Sequence, residues 1–167
     1  AASCGSGCPL RLPGAPTSKD GSSSPLLVMD IGCGAGHDVL IASCLVGPQG
    51  RVVGIDVTPE MIQAARQNAS RYSNKNNSNM GTMEFLQANI EDDLTTTSNL
   101  APFQSQVDVI ISNGVLNLCQ DKAKAFATIL ALLRPSGRLL FSDVCRLAAA
   151  DEAASVVPAF GHNVFSQ

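Results

Sequence analysis

Val28-Met-Asp-Ile-Gly-Cys-Gly-Ala-Gly36 decides the fold of this chain. Leu26-Leu-Val-Met-Asp30 reads as a buried strand; it runs into three glycines set two apart and then into His37 to Val46, a helix-length stretch with apolar residues at 39 to 42 and 44 to 46. Gly47-Pro48-Gln49-Gly50 stops that helix, and Arg51-Val-Val-Gly-Ile-Asp56 is a second strand. Strand, glycine loop, helix and strand in this order form a βαβ unit, in which a parallel sheet is covered on both faces.

Further along the chain the alternation continues. Thr58 before Pro59 starts a helix, because the Thr hydroxyl can cap a free N–H and Pro at the first helical position gives up no hydrogen bond. That helix is expected to reach about Arg71. A polar insert, Ser73 to Asn79, separates it from a third strand, Met83 to Ala88. Val107 to Ser112 is the fourth strand, and Asp121 to Leu133 a helix whose apolar face includes Phe126, Ile129, Leu130 and Leu133. Pro135-Ser136-Gly137 turns the chain into a fifth strand, Arg138 to Asp143. Residues 1–25, rich in Gly, Pro and Ser, read as a flexible N-terminal arm, and residues 26–167 as one domain.

Composition bounds the function. The chain has 167 residues, 45% hydrophobic and 15% charged, which excludes a disordered chain and fits a single core. Eleven Lys and Arg against 14 Asp and Glu offer no basic field for a phosphate backbone, so nucleic acid is not expected as a partner and a small molecule is. No apolar run approaches the length of a spanning helix and the first residues lack a basic stretch followed by an apolar one, so the protein is expected to be cytoplasmic and to have no membrane partner. The six cysteines, Cys4, Cys8, Cys33, Cys44, Cys119 and Cys145, are too sparse for a disulfide scaffold and read as reduced thiols. Oligomeric state is left open.

The polar residues gather at strand ends, where ligands of open parallel sheets bind. Asp30, Gly32, Cys33, Gly34 and Gly36 close the first strand and Asp56 with Val57 the second; Asn89 and Ile90 follow the third, and Ser112 and Asn113 close the fourth. Without side chains the glycines let backbone approach a ligand, and the helix beyond offers free N–H groups. Asp56 lies 20 residues beyond Gly36, the separation at which a second-strand acid accepts hydrogen bonds from ribose hydroxyls. A nucleoside-containing cofactor follows. A dinucleotide loop needs G-x-G-x-x-G/A, but the sixth position counted from Gly32 is His37 and from Gly34 is Val39.

The pattern D-x-G-x-G-x-G instead resembles the first motif of class I S-adenosylmethionine-dependent methyltransferases, with the likeness running over about residues 26 to 144. The resemblance implies a Rossmann-like, mainly parallel sheet of strand order 3-2-1-4-5 and S-adenosylmethionine as cofactor. It further implies that the glycine loop meets the methionine part, Asp56 the ribose, and Asn89 and Ile90 the adenine. Leu45 to Met61, Ile110 to Lys122 and Leu133 to Val144 resemble the arsenite methyltransferase branch, as does Cys4-Gly-Ser-Gly-Cys-Pro-Leu10. Two departures stand out. The branch often has a cysteine between the Asn and Val of the fourth-strand motif, where this chain has Gly114, and nothing beyond Cys145 matches a further substrate cysteine.

Trivalent arsenic is a soft centre that thiolates bind well, so Cys4, Cys8 and Cys119 are the substrate-thiol candidates. Cys33 reads as a small loop residue, Cys44 as a core residue and Cys145 as a strand-end residue. His37 could act as a base or stand neutral at a helix start; Asp38 suits the helix dipole. Asn113 is either a ligand contact or a turn former. His37 and His162 cannot build a His-rich metal site, so no metal is expected. Methyl transfer from a sulfonium needs positioning and water exclusion more than acid–base groups, so no catalytic residue is singled out. The expected activity is methyl transfer to a small acceptor, arsenite first. The alternatives are a methyltransferase for a small organic metabolite of the ubiquinone type, favoured by Gly114, and a non-catalytic or truncated cofactor-binding module. The last draws on the 23 residues after Val144, which include a short helix over 147–154 and are too few for the family's antiparallel strand pair.

Overall fold

A computed structural model of the chain describes residues 25–73, 79–95 and 98–144. Five strands, β1 (Leu27–Ile31), β2 (Arg51–Asp56), β3 (Thr82–Gln87), β4 (Val107–Asn113) and β5 (Leu133–Ser142), form one sheet in the order β3-β2-β1-β4-β5. Every neighbouring pair is parallel, as the resemblance implies. The sheet order reverses between β1 and β4, so the crevice at their carboxyl ends is the switch point.

Three helices cover it: α1 (His37–Val46), α2 (Pro59–Ser73) and α3 (Lys122–Leu132). Alternation along the central strands sends successive residues to opposite faces. Val28, Val52, Val109 and Ile111 pack with Val39 and Ala42 of α1 and with Ile62, Ala65 and Ala69 of α2. Met29, Ile31, Val53, Ile55 and Ile110 pack with Ala125, Ile129 and Leu132 of α3 and with Leu100, Phe103 and Leu116 from two 3-10 turns. Two cores back to back are the signature of a doubly wound sheet.

Four expectations need correction. β1 and β3 are each displaced by one residue, because pairing follows the β2 register (Leu27 with Arg51, Thr82 with Arg51) and not the apolar run. β5 begins at Leu133, which pairs Val107 directly after α3; Pro135-Ser136-Gly137 then stands out of the ladder, Ser136 taking φ 67°, and pairing resumes at Arg138 with Val109. On α3 the buried stripe is Ala125, Thr128, Ile129 and Leu132, the i, i+3, i+4, i+7 set, which leaves Leu130 on the far side and 67% exposed. Cys44 is exposed, not core, since α1 buries only Val39, Ala42 and Ser43.

The rim opposite the switch point is tied by Asp108. Its Oδ2 accepts from the Leu27 amide at 2.7 Å and its Oδ1 meets Arg134 Nε at 2.5 Å, joining the starts of β1, β4 and β5. No helix among the described residues is long and apolar enough to cross a membrane. The expected arm over 1–25 and the helix over 147–154 lie outside the described residues, as do Cys4, Cys8, Cys145 and His162.

Candidate ligand site at the carboxyl rim

The loop after β1 hangs from β2. The Gly32 and Cys33 amides both donate to the Ile55 carbonyl, at 2.8 and 2.9 Å, so the loop continues the β1–β2 ladder before turning away. Gly32, Gly34 and Gly36 then take φ of 70°, 50° and 84°, the left-handed region that side chains resist. The three differ in what surrounds them. A Cβ on Gly34 would meet open space, whereas one on Gly36 would lie 3.1 Å from Ala65 and from the Phe85 ring, which seats the start of α1 against α2 and β3. One on Gly32 would fall 2.2 Å from a Val115 methyl.

Asp56, at the end of β2, faces this loop. Its Oδ2 accepts from the Gly34 amide and its Oδ1 from the Thr58 amide, both at 2.9 Å. The glycine loop and the second-strand acid therefore lie in contact, as their spacing implies. Two amides use two of the roughly four acceptor positions of a carboxylate, so the others remain for hydroxyl donors. Thr58 serves the start of α2 through its carbonyl, which accepts from the Met61 and Ile62 amides. Asp56 is partly exposed, and Val57 and Met61 beside it are 57% and 42% exposed, an apolar lip next to an acid.

Beneath the loop, Asp30 is 2% exposed. Burial first, then the Asp38 and Asp56 carboxylates, hold its carboxyl well above the usual range, because a second and third negative charge make ionisation costly. Cys33 is also buried and its thiol lies over Gly54 of β2. Burial, then Asp30 and Asp56, push that thiol up to about 12.

The other sequence candidates divide. Asn89 closes its own turn, its Oδ1 accepting from the Glu91 amide at 3.0 Å, and Ile90 is 4% exposed in the core. Both follow β3 next to Asp56, whose carbonyl accepts from the Ala88 amide. Ser112 is 5% exposed and its hydroxyl donates to the Ile31 carbonyl at 3.2 Å, binding β4 to the root of the glycine loop. Asn113 is exposed at the end of β4, and Gly114 beyond it takes φ 69° with open space where a Cβ would stand. Cys119 is 8% exposed within the α3-side core, and burial raises its thiol further, ahead of Glu91. Among the described residues, no group of three or more His, Cys, Asp or Glu could hold a metal ion.

Three contributors escaped the sequence reading. Asn68 donates to the Ala35 carbonyl at 3.1 Å and pins the glycine loop to α2; standing beside Arg66 and Gln67 on the polar side of that helix, it carried no signal. Gln87 donates to the Val57 carbonyl at 3.2 Å. Val115 covers Gly32, and only the fold could show that, since the two are 83 residues apart.

Comparisons with known proteins agree with this geometry. A sequence profile described as a methyltransferase domain matches residues 22–165. The arsenite methyltransferase of Halobacterium salinarum is 38% identical over 121 residues, 72% of this chain and 28% of that protein. The malonyl-[acyl-carrier protein] O-methyltransferase of Halalkalibacterium halodurans is 30% identical over 125 residues, 74% of this chain and 41% of that protein. Among solved structures, CrArsM, an arsenic (III) S-adenosylmethionine methyltransferase from Chlamydomonas reinhardtii, superposes with TM-score 0.67 at 32% identity, over 89% of this chain and 47% of that one. The chain thus spans less than half the length of these relatives.

Proposed function

Because the chain belongs to the class I S-adenosylmethionine-dependent methyltransferases, near the arsenite methyltransferase branch, we propose that it transfers a methyl group from S-adenosylmethionine to a small acceptor, a trivalent arsenical being first choice. The observation that carries the reading is the contact between the Gly34 amide and the Asp56 carboxylate. The residues present fit the donor. Asp56 keeps acceptor capacity for two ribose hydroxyls, Val57 and Met61 offer an apolar lip suited to a purine, and open space at Gly34 admits a ligand against bare backbone. Bound there, S-adenosylmethionine supplies an electrophilic methyl carbon on a cationic sulfur.

The chain's own part is holding and orienting. We assign the glycine loop, with Asp30 and Cys33 as its floor, to the methionine end, Asp56 to the ribose, and Val57, Asn89 and Ile90 to the adenine. Asn89, with its oxygen engaged in the turn, meets a base through its NH2. Ser112 secures the loop's root, and Asn113 with Gly114 faces the acceptor side. Asp38 and Asp56 place negative charge around the protonated Asp30 carboxyl, which suits a cationic donor over the neutral thioether left after transfer. The domain is taken as residues 26–167, with an arm over 1–25.

Two observations favour a second acceptor class. Gly114 stands where the branch often has a soft sulfur ligand, and Cys119 is buried with a raised thiol. A small organic metabolite is the runner-up, and the relative named as an O-methyltransferase supports an acceptor other than arsenic. A non-catalytic module is the third possibility.

Calorimetric titration of the whole chain with S-adenosylmethionine and separately with NAD tests the donor. Binding of the former alone supports the reading; tight NAD binding overturns it. Asp56→Asn is expected to weaken donor binding by about 30-fold, the worth of roughly 2 kcal/mol in hydrogen bonds to a charged acceptor. Incubation with donor, arsenite and a thiol reductant tests the acceptor: methylated arsenic supports the first choice, and donor binding without it moves the assignment to the second or third.

A further inference from the structure

Val115 is placed unlike any other side chain at the rim. Its Cγ2 would lie 2.2 Å, its Cγ1 2.8 Å and its Cβ 3.0 Å from a Cβ built on Gly32, so the isopropyl group fills the volume that a side chain at position 32 would need. Gly32 is the first residue of the donor loop to leave β1, and its amide hangs on the Ile55 carbonyl. Ile55 and the Val115 side chain thus bear on the root of the loop, one as a tether and the other as a stop.

The stop itself is fixed. Gly114, just before it, takes φ 69° and donates its amide to the Ser142 carbonyl at 2.8 Å, and the Asn117 amide donates to Asp143 Oδ2 at 2.9 Å. The Val115 carbonyl accepts from the Leu118 amide at 2.9 Å, closing a 3-10 turn whose first residue, Leu116, is 4% exposed in the core. Backbone on both sides of Val115 is therefore anchored to the end of β5. A β-branched side chain adds stiffness, since its two methyls restrict χ1.

We propose that Val115 is a positioning residue that sets the height of the glycine loop, and that through it the segment between β4 and α3 is mechanically linked to the donor site. The contact stands on the geometry alone; what the loop holds rests on the function proposed above. Loss of the methyls would let the Gly32–Gly36 backbone sample positions from which its amides and the Gly34–Asp56 contact are misplaced. A displacement of that kind is felt strongly, because transfer and tight binding both depend on sub-ångström placement.

The test compares Val115→Ala with Val115→Thr, which keeps shape and branching, and with Ile129→Val, a mild lesion in α3 of the same core cluster against which Val115 packs. Amide hydrogen exchange of the free, full chain reads the loop without any ligand. In Val115→Ala, exchange over residues 32–36 is expected to rise about tenfold, with Val115→Thr within about twofold of the parent and Ile129→Val showing no selective rise there. Donor titration is expected to give a Kd about tenfold higher for Val115→Ala only. Unchanged loop exchange in Val115→Ala overturns the proposal, as does a loosened loop with unaltered donor Kd. If the parent chain binds no donor, the functional reading fails while loop exchange still decides whether Val115 is the stop.

Discussion

Asp30 shows how much a single buried carboxyl can decide. With its folded value raised by burial and by Asp38 and Asp56, Asp30 contributes stability that is complete at pH below the ordinary carboxylate range and lost as pH rises through the raised value. Asp30→Asn has no proton to lose. Its melting temperature is therefore expected to match the parent in acid and to exceed it by a margin that grows with pH, measured by thermal scans across the window. A margin that shrinks with rising pH would refute the assignment. Asp56 and the glycines were legible because their chemistry depends on local spacing. Val115, Gln87 and Asn68 were not, because each acts on a backbone far away in sequence, and an ordinary Val carries no mark of what it will touch.

Elements were legible where a stop signal or a strict period marked them, and blurred where neither did. Gly47-Pro48 after α1 and Pro59 at the first position of α2 put those boundaries where the sequence reading expected them. The buried side of α1 was illegible: seven of its ten residues are apolar, so no period picks a face, and Cys44 turned outward while Ser43 turned in. β5 was blurred by its pairing: Leu133 joins Val107 before the Pro-Ser-Gly bulge, a choice made by the neighbouring strand. The junction of β1 and α1 depends on Gly36, which has φ 84° and no room for a Cβ beside Phe85. Gly36→Ala combines left-handed strain with overpacking and is expected to cost about 2 kcal/mol, read as a lower denaturation midpoint at unchanged slope.

Across the whole molecule, the two rims of the sheet have different duties. The groups assigned above to the donor collect at the carboxyl ends, while Asp108 binds three strand starts at the other end through the Leu27 amide and Arg134. Asp108→Asn would leave the partly exposed Arg134 without its ionic partner and is expected to cost about 1.5 kcal/mol of folding stability, while the Kd for S-adenosylmethionine stays at the parent value. A matching loss of donor affinity would contradict that division. The fold class could be read from the alternation of runs because a doubly wound sheet needs little more than period and spacing; the division of labour between rims needed coordinates. One last consequence concerns Cys33, the sulfur beneath the glycine loop. With its proton held until about pH 12 and its sulfur wedged over Gly54, Cys33 offers a thiol-seeking reagent almost nothing to grip, so the floor of the loop stays intact where a free thiolate would be capped.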